Sequence, residues 1–194
     1  MRDTSGTYSV TSAPSEEPIS TAEIKTRLRV TSAEFDNEIG DLAQDARAQV
    51  EHDASVCLVT QTLTLSLDRF PTGRVIDLKR PPVQSVTSVG YTDDDRTAQT
   101  FAASKYDVDT GSKPGRIVLR ESESWPTIEY GFPNAVVVTF VAGYGTASDV
   151  PVYAKLAIVE AVRLMWDRCS SGDPDQIRYE NLIRRLAWTG IVTP

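Results

Sequence analysis

The chain has 194 residues, of which 40% are hydrophobic and 24% charged, with 27 acidic against 20 basic side chains. A chain of this length buries roughly 70% of its unfolded surface, and the composition excludes a disordered chain, a coiled coil and a collagen-like repeat. The net charge of −7 argues against a free-standing DNA binder, because binding DNA mainly means neutralising phosphates with Lys and Arg.

No stretch approaches the roughly 20 apolar residues that would span a bilayer. The opening MRDTSGTYSV lacks an apolar core and a cleavage site, so neither a membrane span nor a signal peptide is expected. Residues 1–19 are rich in Ser, Thr, Pro and Glu without periodicity and read as a flexible N-terminal arm, or as an extended segment lying on a neighbour. Ser20 then opens a short helix as a capping box with Glu23, and Ile24 and Leu28 form its apolar face. A second box, Thr31 to Glu34, opens a longer helix to about His52. Its stripe of Phe35, Ile39, Leu42, Ala43, Ala46 and Val50 spans about a third of the helix circumference.

After Ala54 the period changes from helical to two. In Thr62–Leu67 leucines alternate with hydroxyl residues, as in a strand with one buried face. Further short strands are expected at Val75–Leu78, Val83–Tyr91, Tyr106–Val108, Arg116–Leu119 and Ala135–Val141. Turns punctuate them at Pro71–Gly73, Pro81–Pro82, Asp93–Asp95, Gly111–Gly115 and Gly131–Asn134. Helix returns near Asp149, with Pro151 in its first turn, and runs through Val152–Arg168. It is apolar almost all round, the pattern of a helix buried on most sides. A last helix starts at the box Asp173 to Gln176, runs to about Trp188, and has Tyr179, Leu182, Ile183 and Leu186 on its apolar face. The expected fold is α+β: a helical bundle of about four helices with an inserted β-rich subdomain. The divisions are an arm (1–19), a first helical part (20–55), the β-rich insert (56–147), a second helical part (148–188) and a C-terminal tail (189–194).

Catalytic chemistry finds little support. His52 and Cys57 could be base and nucleophile, but His52 falls on the polar face of its helix and Cys57 in an apolar run. The pair also lacks an orienting group and an oxyanion donor. Cys57 and Cys169 match no metal spacing. Asp93, Asp94, Asp95 and Arg96 lack the alternation, glycine and closing Glu of a calcium loop and read as a hairpin tip. No phosphate loop, zinc spacing or nucleophile elbow appears, so no catalytic, cofactor or metal site is assigned. Two charged patterns remain. Glu34, Glu38, Asp41 and Asp45 recur on one face of the second helix, either as a solvated face or as an acidic stripe toward a basic partner or an aqueous passage. Arg178, Arg184, Arg185 and Trp188 gather on the last helix, where Arg184 can pair with Glu180. They are either ordinary surface charges or a docking helix, since Arg and Trp are enriched at protein contacts.

A series of short motifs runs in order through most of the chain: Lys25, Leu28, Arg29 and Val30; Phe35 and Ile39; Leu65, Leu67, Asp68, Phe70 and Pro71. It continues through Pro82-Val83, Tyr91, Tyr106, Trp125-Pro126, Ala142-Gly143-Tyr144, Pro151 and Trp166-Asp167-Arg168. Over Ser20 to Arg168 this resembles the head–tail connector, or adaptor, family of tailed bacteriophages and their prophages. The resemblance implies a non-enzymatic structural protein of the virion neck, made in the host cytoplasm, which assembles as a homo-oligomeric ring, typically dodecameric, beneath the portal protein. Such a ring extends the DNA channel, lets DNA pass without sequence-specific binding, needs no cofactor or membrane, and presents a surface to a stopper or tail-completion protein. On that basis Arg178, Arg184, Arg185 and Trp188 are expected to meet the portal, and Asp93–Arg96 the tail side. The acidic stripe would line the channel or a subunit contact. The alternatives are a small monomeric protein-binding module with a β-rich recognition surface, and a hydrolase using His52 or the acidic stripe.

Overall fold

The computed structural model describes residues 6–128, 131–166 and 174–187. Among them the fold is α+β, with four helices and two antiparallel sheets. Two compact units divide the chain: Ser15–Val59 with Tyr144–Pro194, which holds the helices, and Met1–Pro14 with Thr60–Gly143, which holds the sheets. No helix among the described residues is long and apolar enough to cross a membrane.

In the helical unit, α1 (Thr21–Leu28) opens on the expected box: the Ser20 hydroxyl accepts from the Glu23 N–H at 3.3 Å, and the Glu23 carboxylate accepts from the Ser20 N–H at 3.2 Å. It closes where Arg29 turns left-handed, φ 59°, and the Val30 N–H reaches the Lys25 carbonyl at 3.0 Å. The second box does not form. Ser32, rather than Thr31, accepts from the Glu34 N–H at 3.3 Å, and a short 3-10 turn (Ala33–Phe35) precedes α2 (Asp36–Ala54). The tighter turn brings the closer hydroxyl into reach of the free N–H. It also moves Phe35 off the α2 stripe; its ring is 37% exposed and meets Trp166 edge to face, centroids 5.3 Å apart.

Ile39, Ala43, Ala46, Val50 and Ala54 of α2 are buried, as are Ala157, Ile158, Ala161 and Val162 of α3 (Val152–Trp166). Leu164, Met165 and Trp166 are only half-buried and Val152 is exposed, so this nearly all-apolar helix is not covered on every side by the described residues. Helix α4 (Pro174–Leu186) adds Tyr179 and Leu186 to this core. The Tyr179 hydroxyl donates to the Asp53 carboxylate at 2.6 Å, and burial, then that bond, push the phenol well above its ordinary range. A half-buried ion chain runs across α2: Arg47 donates to Glu17 at 2.8 Å and to Glu51 at 3.0 Å, and Glu51 accepts from the Leu58 N–H at 2.7 Å. Each carboxylate has a donor, as buried charges require. The expected cap at Asp173, the end of the third helix at Arg168, Cys169 and the tail 189–194 lie outside the described residues.

The β unit contains β1 (Thr7–Ser12), β2 (Gln61–Leu67), β3 (Val75–Leu78), β4 (Val83–Thr92), β5 (Ala98–Thr100), β6 (Tyr106–Asp109), β7 (Gly115–Leu119) and β8 (Val136–Ala142). Six of these lie within a residue or so of the expected strands; β1 and β5 are additional. Part of the segment read as an arm is thus a strand of this chain's own sheet: Thr7, Tyr8, Ser9 and Val10 pair with Ser66, Leu65, Thr64 and Leu63. The larger sheet has the order β1-β2-β8-β4-β5, the smaller β3-β7-β6. Their core includes Leu63, Leu65, Leu67, Val138 and Phe140 from the first, and Ile76, Leu78, Ile117 and Leu119 from the second. Gly115 of β7 marks a close approach of the two: a Cβ there would come within 2.6 Å of the Val83 side chain on β4. Beside them Phe70 stacks on Trp125, centroids 4.9 Å apart, and Phe101 on Tyr106 at 5.9 Å.

Candidate interaction surfaces

Strand pairing places alternate residues of the larger sheet in straight rows on its other face, because directly paired residues share a side. One row is Ser9, Thr64, Thr139 and Ser88; the next is Ser12, Thr62, Val141 and Ser85. A third runs Thr7, Ser66, Val137, Gly90 and Thr100. None of these residues is buried, and none is charged. The Thr11 and Thr64 hydroxyls bond across it at 2.6 Å. A face this broad without a charge stands out in a chain that is 24% charged. The alternation in Thr62–Leu67 showed one strand of it. Its extent needed the pairings, and β1 carried a readable signal: Tyr8 and Val10 alternate with Thr7, Ser9 and Thr11.

The Asp93–Arg96 segment turns the chain from β4 into β5. Asp93 organises it: one carboxylate oxygen accepts from the Asp95 and Thr97 N–H groups at 3.1 and 2.8 Å, the other from Gln99 at 3.0 Å. The Thr97 bond, then Gln99, hold this carboxyl below its ordinary value. Asp94, Asp95 and Arg96 are exposed at the tip, and Arg96 is left-handed, φ 61°. Asp93 therefore shapes the loop, and the three exposed residues are what it presents. The turn between β6 and β7 repeats the device. Asp109 accepts from the Ser112 hydroxyl at 2.6 Å and from Arg116 at 2.9 Å, which lowers its pKa to about 2.

In the helical unit, Glu38, Asp41 and Asp45 are exposed on α2, while Glu34 is exposed on the 3-10 turn before it. Arg178, Arg184 and Arg185 are exposed on α4; Trp188 lies outside the described residues. The Arg185 guanidinium sits over the Tyr153 ring, 5.6 Å from its centroid, and Glu180 accepts from Gln176 at 3.1 Å rather than serving Arg184 as the spacing suggests. His52 is exposed in the last turn of α2 and Cys57 is buried. Among the described residues no group of three His, Cys, Asp or Glu side chains could hold a metal ion.

No protein-family model and no curated protein matches this sequence. Solved structures do share its fold. A chain from the neck of an empty gene transfer agent (GTA) particle, computed with C6 symmetry, aligns at TM-score 0.77 and 20% identity, over 97% of this chain and 98% of that one. A chain from the virion of the native GTA particle aligns at 0.78 and 20% identity, over 96% and 98%. One from the native neck, computed with C12 symmetry, aligns at 0.75 and 21%, over 97% and 98%.

Proposed function

We propose that this chain is a structural subunit of the neck of a tailed, phage-like particle: an adaptor that assembles as a ring, twelve copies by expectation, between the portal and the stopper or tail. The observation that carries this reading is the end-to-end fold match, covering 97% of this chain and 98% of a chain from a GTA neck. A match over both whole chains means that both units, and their order in sequence, are shared. The C12 and C6 symmetry of those neck structures favours a ring.

The mechanism is binding, with subunit and partner contacts supplying the energy. The exposed arginines of α4, Arg178, Arg184 and Arg185, together with Trp188, are assigned to the portal. The exposed tip Asp94–Arg96, shaped by Asp93, is assigned to the tail side. Glu38, Asp41 and Asp45, with Glu34 beside them, suit a passage through which DNA slides, because an acidic lining offers no counterion release to hold it.

Native mass spectrometry of the chain mixed with the portal ring encoded beside it tests this reading. A complex with many copies of the chain per portal is expected. Charge reversal at Arg178 and Arg185 should weaken portal binding by about tenfold or more. A chain that stays monomeric and ignores the portal would overturn the proposal and leave the free-standing binding module in its place.

A further inference from the structure

The two edges of the larger sheet differ. At one, β5 has three residues and follows the charged tip Asp93–Arg96; shortness and nearby charge are devices that keep an edge from pairing. At the other, β1 has six residues, and nothing from Gly6 to Pro14 is charged. Its one irregularity is a register shift between Val10 and Ser12, which leaves Thr7–Val10 regular. Among the described strands β1 pairs only with β2, which makes it an edge strand of this sheet. Val10 adds an independent sign that the sheet is incomplete there. It pairs with buried Leu63, and so lies on the core face, yet it is 56% exposed at the edge. One more strand beyond β1 would extend that face over it.

We infer that the outer edge of β1, with the hydroxyl rows beside it, docks a second copy of this chain, strand against strand. This rests on the ring reading above and names the contact that would build the ring. A row of backbone groups is matched by another polypeptide strand; the one basic side chain seen against β1 among the described residues, Arg80, lies over the Tyr8 ring, 5.7 Å from its centroid, and a single cation is too little to hold DNA. The charge argues for a copy. Each subunit carries a net −7, so a contact between copies avoids adding local repulsion where neither side brings an acid. The helix face with Glu38, Asp41 and Asp45 would set acid against whatever acid it met; the β1 edge and its rows set none. Because a ring closes by head-to-tail contacts, the copy presents a different patch to β1 rather than its own β1.

The test places a photo-crosslinking amino acid, p-benzoylphenylalanine, at position 9 and compares amide exchange in isolated and portal-bound wild-type chain. Crosslinks joining two copies are expected, with amides of residues 7–12 exchanging at least about tenfold more slowly in the assembly. Ser9→Lys should cut ring occupancy by about tenfold or more, since the lysine would be buried unpaired, while leaving the melting of the isolated chain unchanged. If that variant does not fold, the wild-type exchange and crosslinks decide. A ring that forms on the portal while position 9 crosslinks to portal, to DNA or to nothing, and residues 7–12 gain no protection, overturns the β1 contact and leaves the ring reading standing. If wild-type chain forms no ring at all, both fall.

Discussion

The two faces of the larger sheet are built from the same strands and follow opposite rules. On one, Leu63, Leu65, Leu67, Val138 and Phe140 are buried against the unit's core. On the other, the residues between them are Ser, Thr and Val, open and without charge. The first face is set by folding, because moving one residue out of phase would send every leucine to the solvent side. The second is not constrained in that way, since exposed positions tolerate most side chains at small cost. Charge is absent from it nonetheless, and that absence asks for a cause outside the fold. The proposed contact with other copies in a ring would supply one.

Substitution measures how far the two faces differ. Phe140→Ala, at a position with 0% exposure, should lose about 3–5 kcal/mol in urea unfolding, the range for deleting a buried aromatic ring. A loss below about 1 kcal/mol would mean the core face is looser than described. Gly115→Ala comes next: a methyl pressed against Val83 should cost about 1–3 kcal/mol by the same assay. Restoring the space with Val83→Ala should recover part of it.

Acid titration separates charge from packing, because Asp109 anchors the turn between β6 and β7 through its charge. Asp109 has an ordinary value of 3.8 and a folded value of about 2, lowered by the Ser112 hydroxyl first and Arg116 next. Its contribution to stability is therefore complete above about pH 4 and fades as pH falls toward 2, where the folded state too takes up the proton. Asp109→Asn should flatten that part of the pH–stability curve; an unchanged curve would show that the turn's hydrogen bonds contribute nothing. The smallest effect belongs to the open face: Thr64→Glu should change the isolated chain's stability by only about 0.5 kcal/mol. In an assembly it should act far more strongly, and a large effect on the isolated chain would mean that this face is not free.

The sequence was legible wherever periodicity was. The leucine–hydroxyl alternation marked β2, and the Ser20–Glu23 box marked α1. β1 is the exception: its short alternation of Tyr8 and Val10 is masked by the Ser- and Thr-rich composition of a mobile segment, and what makes it a strand is pairing with β2, some fifty residues away in sequence. β5, at three residues without a large apolar side chain, has no periodicity to read. Thr31 lost its cap to Ser32 because two hydroxyls compete for the same N–H and local geometry decides. The interaction surfaces were legible only as residue types. Arg185 shows why: its spacing marked a docking helix, and only the fold shows its guanidinium resting on Tyr153.

The most direct test of the neck assignment is electron microscopy of particles produced without this chain. Heads filled with DNA and finished tails lying apart are expected, with joining restored when the purified chain is added back. Normally tailed particles assembled in its absence would contradict the account.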